Sequence, residues 1–74
     1  MILKCLIVDD EPPAHKILEN YIGKIDRLEL VGNCYNAIEA LNFLHEKPVD
    51  ILLVTINGLK PRTSVRQIHF VELS

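Results

Sequence analysis

Two stretches of the chain are nearly continuous runs of apolar residues, Cys5–Val8 and Val49–Ile56. Such runs are typical of strands covered on both faces, as in a parallel sheet flanked by helices. A third stretch, Leu28–Tyr35, alternates instead, with one side predicted to carry Leu28, Leu30, Gly32 and Cys34. Alternation of this kind favours a strand at the edge of the sheet.

A helix is predicted between the first two strands, because apolar residues recur there at helical spacing. This stripe consists of Ala14, Ile17, Leu18, Tyr21, Ile22 and Ile25. Pro12 and Pro13 are tolerated in a first helical turn, Asp10 and Glu11 complement the helix dipole there, and Gly23 lies near the predicted end. His15, in this first turn, is expected to face solvent.

A second helix is predicted to begin at Asn36, which can cap it, with Glu39 three residues later as in a capping box. Pro48 ends it just before the third strand. The predicted buried face consists of Ala37, Ala40, Leu41 and Leu44. The resulting order of strand, helix, strand, helix, strand is that of two βαβ units, and therefore of an α/β fold.

The character of the sequence changes after Ile56. The turn-rich stretch "NGLKPRT" precedes "VRQIHFVEL", whose β-branched and aromatic residues favour a short C-terminal strand, with a helix as the alternative. We therefore divide the chain into residues 1–57, which carry the βαβ pattern, and a divergent tail, residues 58–74.

Size and charge exclude several classes of protein. Seventy-four residues form one small domain with a limited core, and the formal charge of -2 gives no general attraction to nucleic acid or to anionic membranes. The apolar runs are too short for a membrane span. Cys5 and Cys34 lie in apolar segments and are expected to be buried, reduced thiols. These features together predict a cytoplasmic protein that does not bind nucleic acid through this chain.

Acidic residues follow the first strand, where Asp9 and Asp10 are adjacent. Because ligands bind outside the carboxyl ends of strands in open α/β sheets, these residues should meet Thr55 and Asn57 if the first and third strands are neighbours. Grouped oxygen ligands suit Mg²⁺, which takes only one or two carboxylates from a protein. The sequence thus predicts a magnesium site here.

The stretches "KCLIVDDEPPAHKILENYI", "LELVGNCYNAIEAL" and "PVDILLVTIN" together resemble the first half of a response-regulator receiver domain, especially the receivers of LytTR-type regulators. The resemblance implies a truncated, doubly wound parallel sheet of strand order 2-1-3 with two flanking helices. It also implies a histidine kinase as partner, Asp9 and Asp10 as metal ligands, and Asn57 as the residue whose backbone carbonyl completes metal binding.

The resemblance fails at the phosphoacceptor, because Thr55 occupies the position at which the family has an aspartate. An ionised carboxylate can attack phosphohistidine directly, whereas a threonine hydroxyl needs a base. We therefore expect phosphotransfer to be lost and Mg²⁺ binding to be weakened or lost. Lys60, in "LKP", either corresponds to the family's lysine or lies in an ordinary surface turn.

The family's second half is either missing from this sequence or rewritten, so the third strand is predicted to have an open edge through which copies of the chain associate. Two functions remain open: a truncated or degenerate receiver module of phosphorelay signalling, and a structural or oligomerisation module without signal input. Neither is an enzyme.

Overall fold

The computed structural model describes residues 1–57 and 66–73 as one sheet with two helices. Its elements, in chain order, are β1 Leu3–Val8, α1 Pro12–Gly23, β2 Leu28–Cys34, α2 Ala37–Glu46, β3 Ile51–Asn57 and β4 Arg66–Glu72. The α/β class predicted from the sequence is confirmed. The tail contributes a strand, as favoured above, and not a helix; Lys60 lies outside the described residues.

The sheet has the order β2-β1-β3-β4. Strand β1 pairs in parallel with both β2 and β3, so the expected order 2-1-3 is confirmed. Strand β4 pairs with β3 antiparallel along its full length, from Arg66 opposite Asn57 to Glu72 opposite Ile51. The expectation of an open third-strand edge is therefore wrong, because the chain's own tail covers that edge.

The sheet is covered by a helix on each face. On the α1 side the buried core consists of Cys5, Ile7, Leu18, Ile22 and Leu53. On the α2 side it consists of Leu6, Cys34 and Ala40, with Phe43 and Leu44 packed against them. Three successive residues of β1, Cys5 to Ile7, are fully buried because the strand is covered on both faces.

Each helix buries a narrower face than its apolar pattern predicts. In α1, Leu18 and Ile22 are buried, while Tyr21 is 62% exposed. In α2, Ala40 is buried, but the predicted Leu41 is 59% exposed and Phe43 packs on the sheet in its place. A small sheet with one helix per face offers each helix contact on one narrow side only.

A β-bulge changes the faces of β2. Cys5 pairs with Leu30 and the next residue of β1, Leu6, pairs with Gly32, so Val31 is the extra residue. Leu30 therefore packs on the α1 side, whereas Gly32 and Cys34 belong to the α2 side. The expectation that these residues share one side is wrong, because one inserted residue inverts the alternation beyond it.

Gly32 permits a close helix contact on the α2 side. A Cβ at this position would lie 2.5 Å from a ring carbon of Phe43 and 3.2 Å from a methyl group of Leu6. The absent side chain thus lets the Phe43 ring pack directly against the strand.

Neither described helix could cross a bilayer: both are too short, and nothing in residues 1–57 and 66–73 forms a longer apolar helix.

Candidate functional site: a crevice at the carboxyl ends of β1 and β3

Asp9 is a buried carboxylate directly after β1. Only 2% of the residue is exposed. Its backbone N–H donates to the carbonyl of Cys34 at 3.0 Å, which ties the end of β1 to the end of β2. Its Oδ1 accepts the backbone N–H of Glu11 at 2.7 Å, just before Pro12 and Pro13 begin α1. These contacts fix both the main chain and the carboxylate of Asp9.

Thr55 lies beside Asp9, as the sequence predicts for neighbouring parallel strands. Val8 pairs with Val54, so the next residue of each strand emerges at the same edge of the sheet. The Thr55 hydroxyl donates a hydrogen bond to Asp9 Oδ2. The structure therefore brings Asp9 into direct contact with Thr55, the residue that the resemblance places at the phosphoacceptor position.

The two residues line an open crevice of about 360 Å³. Asp10, which also lines the crevice, is exposed. The full lining consists of Val8, Asp9, Asp10, Tyr35, Asn36, Ala37, Val54 and Thr55. Asn57 ends β3 two residues beyond Thr55, but only its backbone is described.

The N-terminus of α2 forms the opposite wall through a capping box. Asn36 Oδ1 accepts the backbone N–H of Glu39 at 2.8 Å. Glu39 reaches back, and its Oε1 accepts the N–H of Tyr35 at 3.0 Å. The cap predicted from the sequence is confirmed, with Tyr35 rather than Asn36 as the reciprocal donor.

The donor set suits a hard cation only in part. Asp9 and Asp10 supply carboxylate oxygens, which Mg²⁺ prefers. Thr55 supplies a neutral hydroxyl whose proton points at Asp9. Within residues 1–57 and 66–73, no group of three His, Cys, Asp or Glu side chains is arranged to hold a metal ion. Mg²⁺ usually takes one or two carboxylates from a protein, with water completing its shell, so the two acids fit a weakly held, mostly hydrated ion.

His15 was missed as a member of this site. The residue is only 3% exposed, so the expectation that it faces solvent is wrong. Its Nε2 lies 2.8 Å from the backbone carbonyl oxygen of Asp9, and its Nδ1 lies 2.6 Å from Asn33 Oδ1. Its spacing of three and seven residues from Leu18 and Ile22 places it on the buried stripe of α1, a signal that was available in the sequence.

The two cysteines are buried and form no disulfide, as expected. Desolvation raises the pKa of the Cys5 thiol, and the negative charge of Asp50 adds to this while a backbone hydrogen bond from Glu29 opposes it. Desolvation also raises the pKa of Cys34, helped by Glu39. Both thiols are therefore core residues and not nucleophiles.

Known proteins with similar sequences are bacterial regulators. The transcriptional regulatory protein BtsR of Salmonella typhi is 41% identical over 63 residues, which cover 85% of this chain and 26% of that protein. BtsR of Escherichia coli strain K12 is 38% identical over the same length. An uncharacterised response regulatory protein of Shewanella oneidensis is 39% identical over 64 residues, 80% of this chain and 27% of that protein.

Most of this chain is homologous to a region of response-regulator proteins. The chain spans about a quarter of the length of the curated relatives it matches. No family model and no solved structure matches it. The α/β sheet and the acid-bearing crevice agree with the receiver-like region implied by the resemblance, whereas the LytTR type remains a prediction.

Proposed function

We propose that the chain is a receiver-type module of two-component signalling that no longer accepts a phosphoryl group on aspartate. The observation that carries this proposal is the contact between Thr55 and Asp9 at the carboxyl ends of two neighbouring parallel strands. The location of the crevice is that of a receiver pocket, and its acceptor has been replaced by a residue of different chemistry. A histidine kinase is the proposed source of the signal.

The chemistry of Thr55 supports the loss of phosphotransfer. Its hydroxyl is neutral and donates its hydrogen to Asp9. Carboxylates are weak bases, so this hydrogen bond does not produce the alkoxide that attack on a phosphorus atom requires. The module would then signal through binding at its surface, without turnover.

We also propose that Asp9, Asp10 and the backbone carbonyl of Asn57 hold Mg²⁺ weakly. A bound ion would neutralise two neighbouring carboxylates, which repel each other by roughly 1 kcal/mol at 4 Å in water and more near a protein surface. Since a hydroxyl stands where the family has a third acid, the site attracts the ion less strongly than a complete receiver pocket would.

Treatment with acetyl phosphate and Mg²⁺, followed by intact-mass measurement, tests the loss of phosphotransfer. We expect the wild-type chain to remain unmodified, because Thr55 lacks the charge of an aspartate. A Thr55→Val variant is the matched control, since it removes the hydroxyl and keeps the β-branched shape. A phosphoryl adduct that appears on the wild type and is absent from Thr55→Val would refute the proposal.

The second candidate, an oligomerisation module without signal input, is favoured by exposed apolar residues beside α1. Tyr21 and Phe70 are 62% and 69% exposed, and they line one apolar groove with Leu18, Ile22, Ile25, Leu28 and Leu53. We propose that copies of the chain associate, with this groove replacing the third-strand edge as the surface involved. Sedimentation showing a folded monomer at micromolar concentration would rule out association.

BtsR is named as a transcriptional regulatory protein, so we propose a cytoplasmic module in the same type of pathway. With a formal charge of -2, the chain itself is not proposed to contact nucleic acid, and no enzymatic activity is proposed for it.

A further inference from the structure

We infer that His15 is the positioning residue of the crevice, holding the main chain of Asp9 and the ring of Tyr35 in the arrangement that a divalent cation would use. The role inferred for His15 rests on the proposed metal-binding function, whereas the contacts of His15 do not depend on it. His15 belongs to no ligand set named above, and its side chain nevertheless joins both walls of the crevice.

The first contact fixes the junction between the two acids. The carbonyl oxygen of Asp9 can only accept, so Nε2 of His15 carries a hydrogen and donates it across 2.8 Å. This carbonyl belongs to the peptide bond that joins Asp9 to Asp10. Because a peptide bond is planar, holding its oxygen also holds the nitrogen and Cα of Asp10.

A second set of contacts fixes the imidazole ring itself. Nδ1 lies 2.6 Å from Asn33 Oδ1, and Asn33 Nδ2 donates to Glu19 Oε1 at 3.2 Å. Asn33 faces α1 because of the bulge at Val31. Because both partner oxygens can only accept, the ring donates a hydrogen bond from each nitrogen, and these two bonds fix the direction of its Nε2–H.

The third contact reaches the opposite wall. The rings of His15 and Tyr35 lie 4.3 Å apart between centroids, with an angle of 31° between their planes. Tyr35 lines the crevice next to the cap of α2. One buried side chain therefore sets the position of both walls, as preorganised sites require of residues behind their ligands.

Three variants of His15 distinguish a positioning role, which needs the Nε2 hydrogen bond, from a role in filling space. Glutamine can place an amide nitrogen near the position of Nε2, asparagine reaches only the position of Nδ1, and alanine removes both. With Mn²⁺ as the probe, we expect His15→Ala and His15→Asn to weaken binding about tenfold or more, the usual effect of losing such a support. We expect His15→Gln to retain most of the affinity.

Leu18→Ala provides the control for a merely structural effect. Leu18 lies one helical turn from His15 and is 5% exposed, but it packs in the core and does not line the crevice. Its truncation should lower stability without changing Mn²⁺ affinity, provided that both variants are compared where they are fully folded. An equal loss of affinity in Leu18→Ala and His15→Ala would overturn the inference.

Amide hydrogen exchange gives a readout that needs no metal. The N–H of Asp9 donates a hydrogen bond to the carbonyl of Cys34, and the N–H of Glu11 donates one to the Asp9 carboxylate. Loss of the His15 contact should speed their exchange about tenfold or more, with rescue by His15→Gln. If the wild type binds no Mn²⁺, the proposed metal site fails and exchange alone decides the positioning role. Unchanged exchange in His15→Ala would overturn that role.

Discussion

At the scale of single residues, the contact between Asp9 and Thr55 determines the chemical character of the crevice. An acid is buried to 2% exposure, and its neighbour is a hydroxyl donor. Hydrogen bonds to a carboxylate stabilise it without adding another negative charge. Thr55 therefore gives Asp9 a hydrogen-bond donor without placing a further negative charge in the crevice.

Some of this residue-level arrangement could be predicted from the sequence, and some could not. Asp9 and Thr55 could be placed together because parallel strands bring their carboxyl ends to one edge. The role of His15 could not, since its partners come from β2 and from the main chain after β1. Helical spacing indicates that a residue is buried but not which polar groups it meets.

The buried thiols predict a pH dependence. Desolvation raises the pKa of Cys5 and Cys34, so the folded state retains two protons that the unfolded chain releases above about pH 8.5. The unfolding free energy should be unaffected by these groups below that pH. Above it, stability should fall by about 1.4 kcal/mol per pH unit for each thiol, until the folded pKa is reached.

Urea denaturation between pH 7.5 and 10 measures this slope, and the Cys5→Ala/Cys34→Ala double variant is its control. The variant loses packing at every pH, so only the slopes are compared. A variant whose stability falls as steeply as that of the wild type would assign the dependence to other groups.

At the scale of elements, α2 depends on its cap more than on a broad apolar face. Asn36 and Glu39 satisfy backbone donors at its start, while Ala40 is the only buried residue among those of α2. We expect Asn36→Ala to lower the unfolding free energy by about 1 kcal/mol. Denaturant melts of the variant measure this loss.

Asn36→Ser is the matched control for the cap, because a serine hydroxyl can accept the same backbone N–H. It should retain most of the stability. A serine variant as unstable as the alanine variant would show that the cap hydrogen bond is not what stabilises α2.

The limits of the helices could be predicted from local sequence signals, but the side of the sheet that each residue of β2 faces could not. Pro12, Gly23 and Pro48 mark helix limits through backbone geometry that any fold must respect. The bulge at Val31 has no such local marker, and it decides which side of the sheet Asn33 occupies. The side that a residue faces depends on how its strand pairs with the neighbouring strand. The spacing of residues within one strand carries no information on that pairing.

At the scale of the whole molecule, the tail strand β4 is the largest difference between the expected and the observed fold. The sequence favoured a fourth strand but did not give its partner, and an open edge on β3 was expected instead. Antiparallel pairing over seven residues places β4 on that edge. Pairing partners are set by the competition among all edges of the sheet, so they could not be derived from the composition of the tail.

The described residues combine three parallel strands of order 2-1-3 with an antiparallel strand that covers the edge of β3. Its relatives are about four times longer than the matched region. The division at residue 57 remains a prediction, because residues 58–65 lie outside the described part of the chain. The fold supplies the crevice, and we propose that the acids of this crevice retain affinity for a divalent ion.

Calorimetric titration of Mg²⁺ into the wild type, Asp10→Ala and Thr55→Asp tests this claim most directly. We predict weak, saturable binding by the wild type, tighter binding by Thr55→Asp because a third carboxylate joins the site, and none by Asp10→Ala. Absence of saturable binding by the wild type, or equal affinity in wild type and Asp10→Ala, would contradict the account.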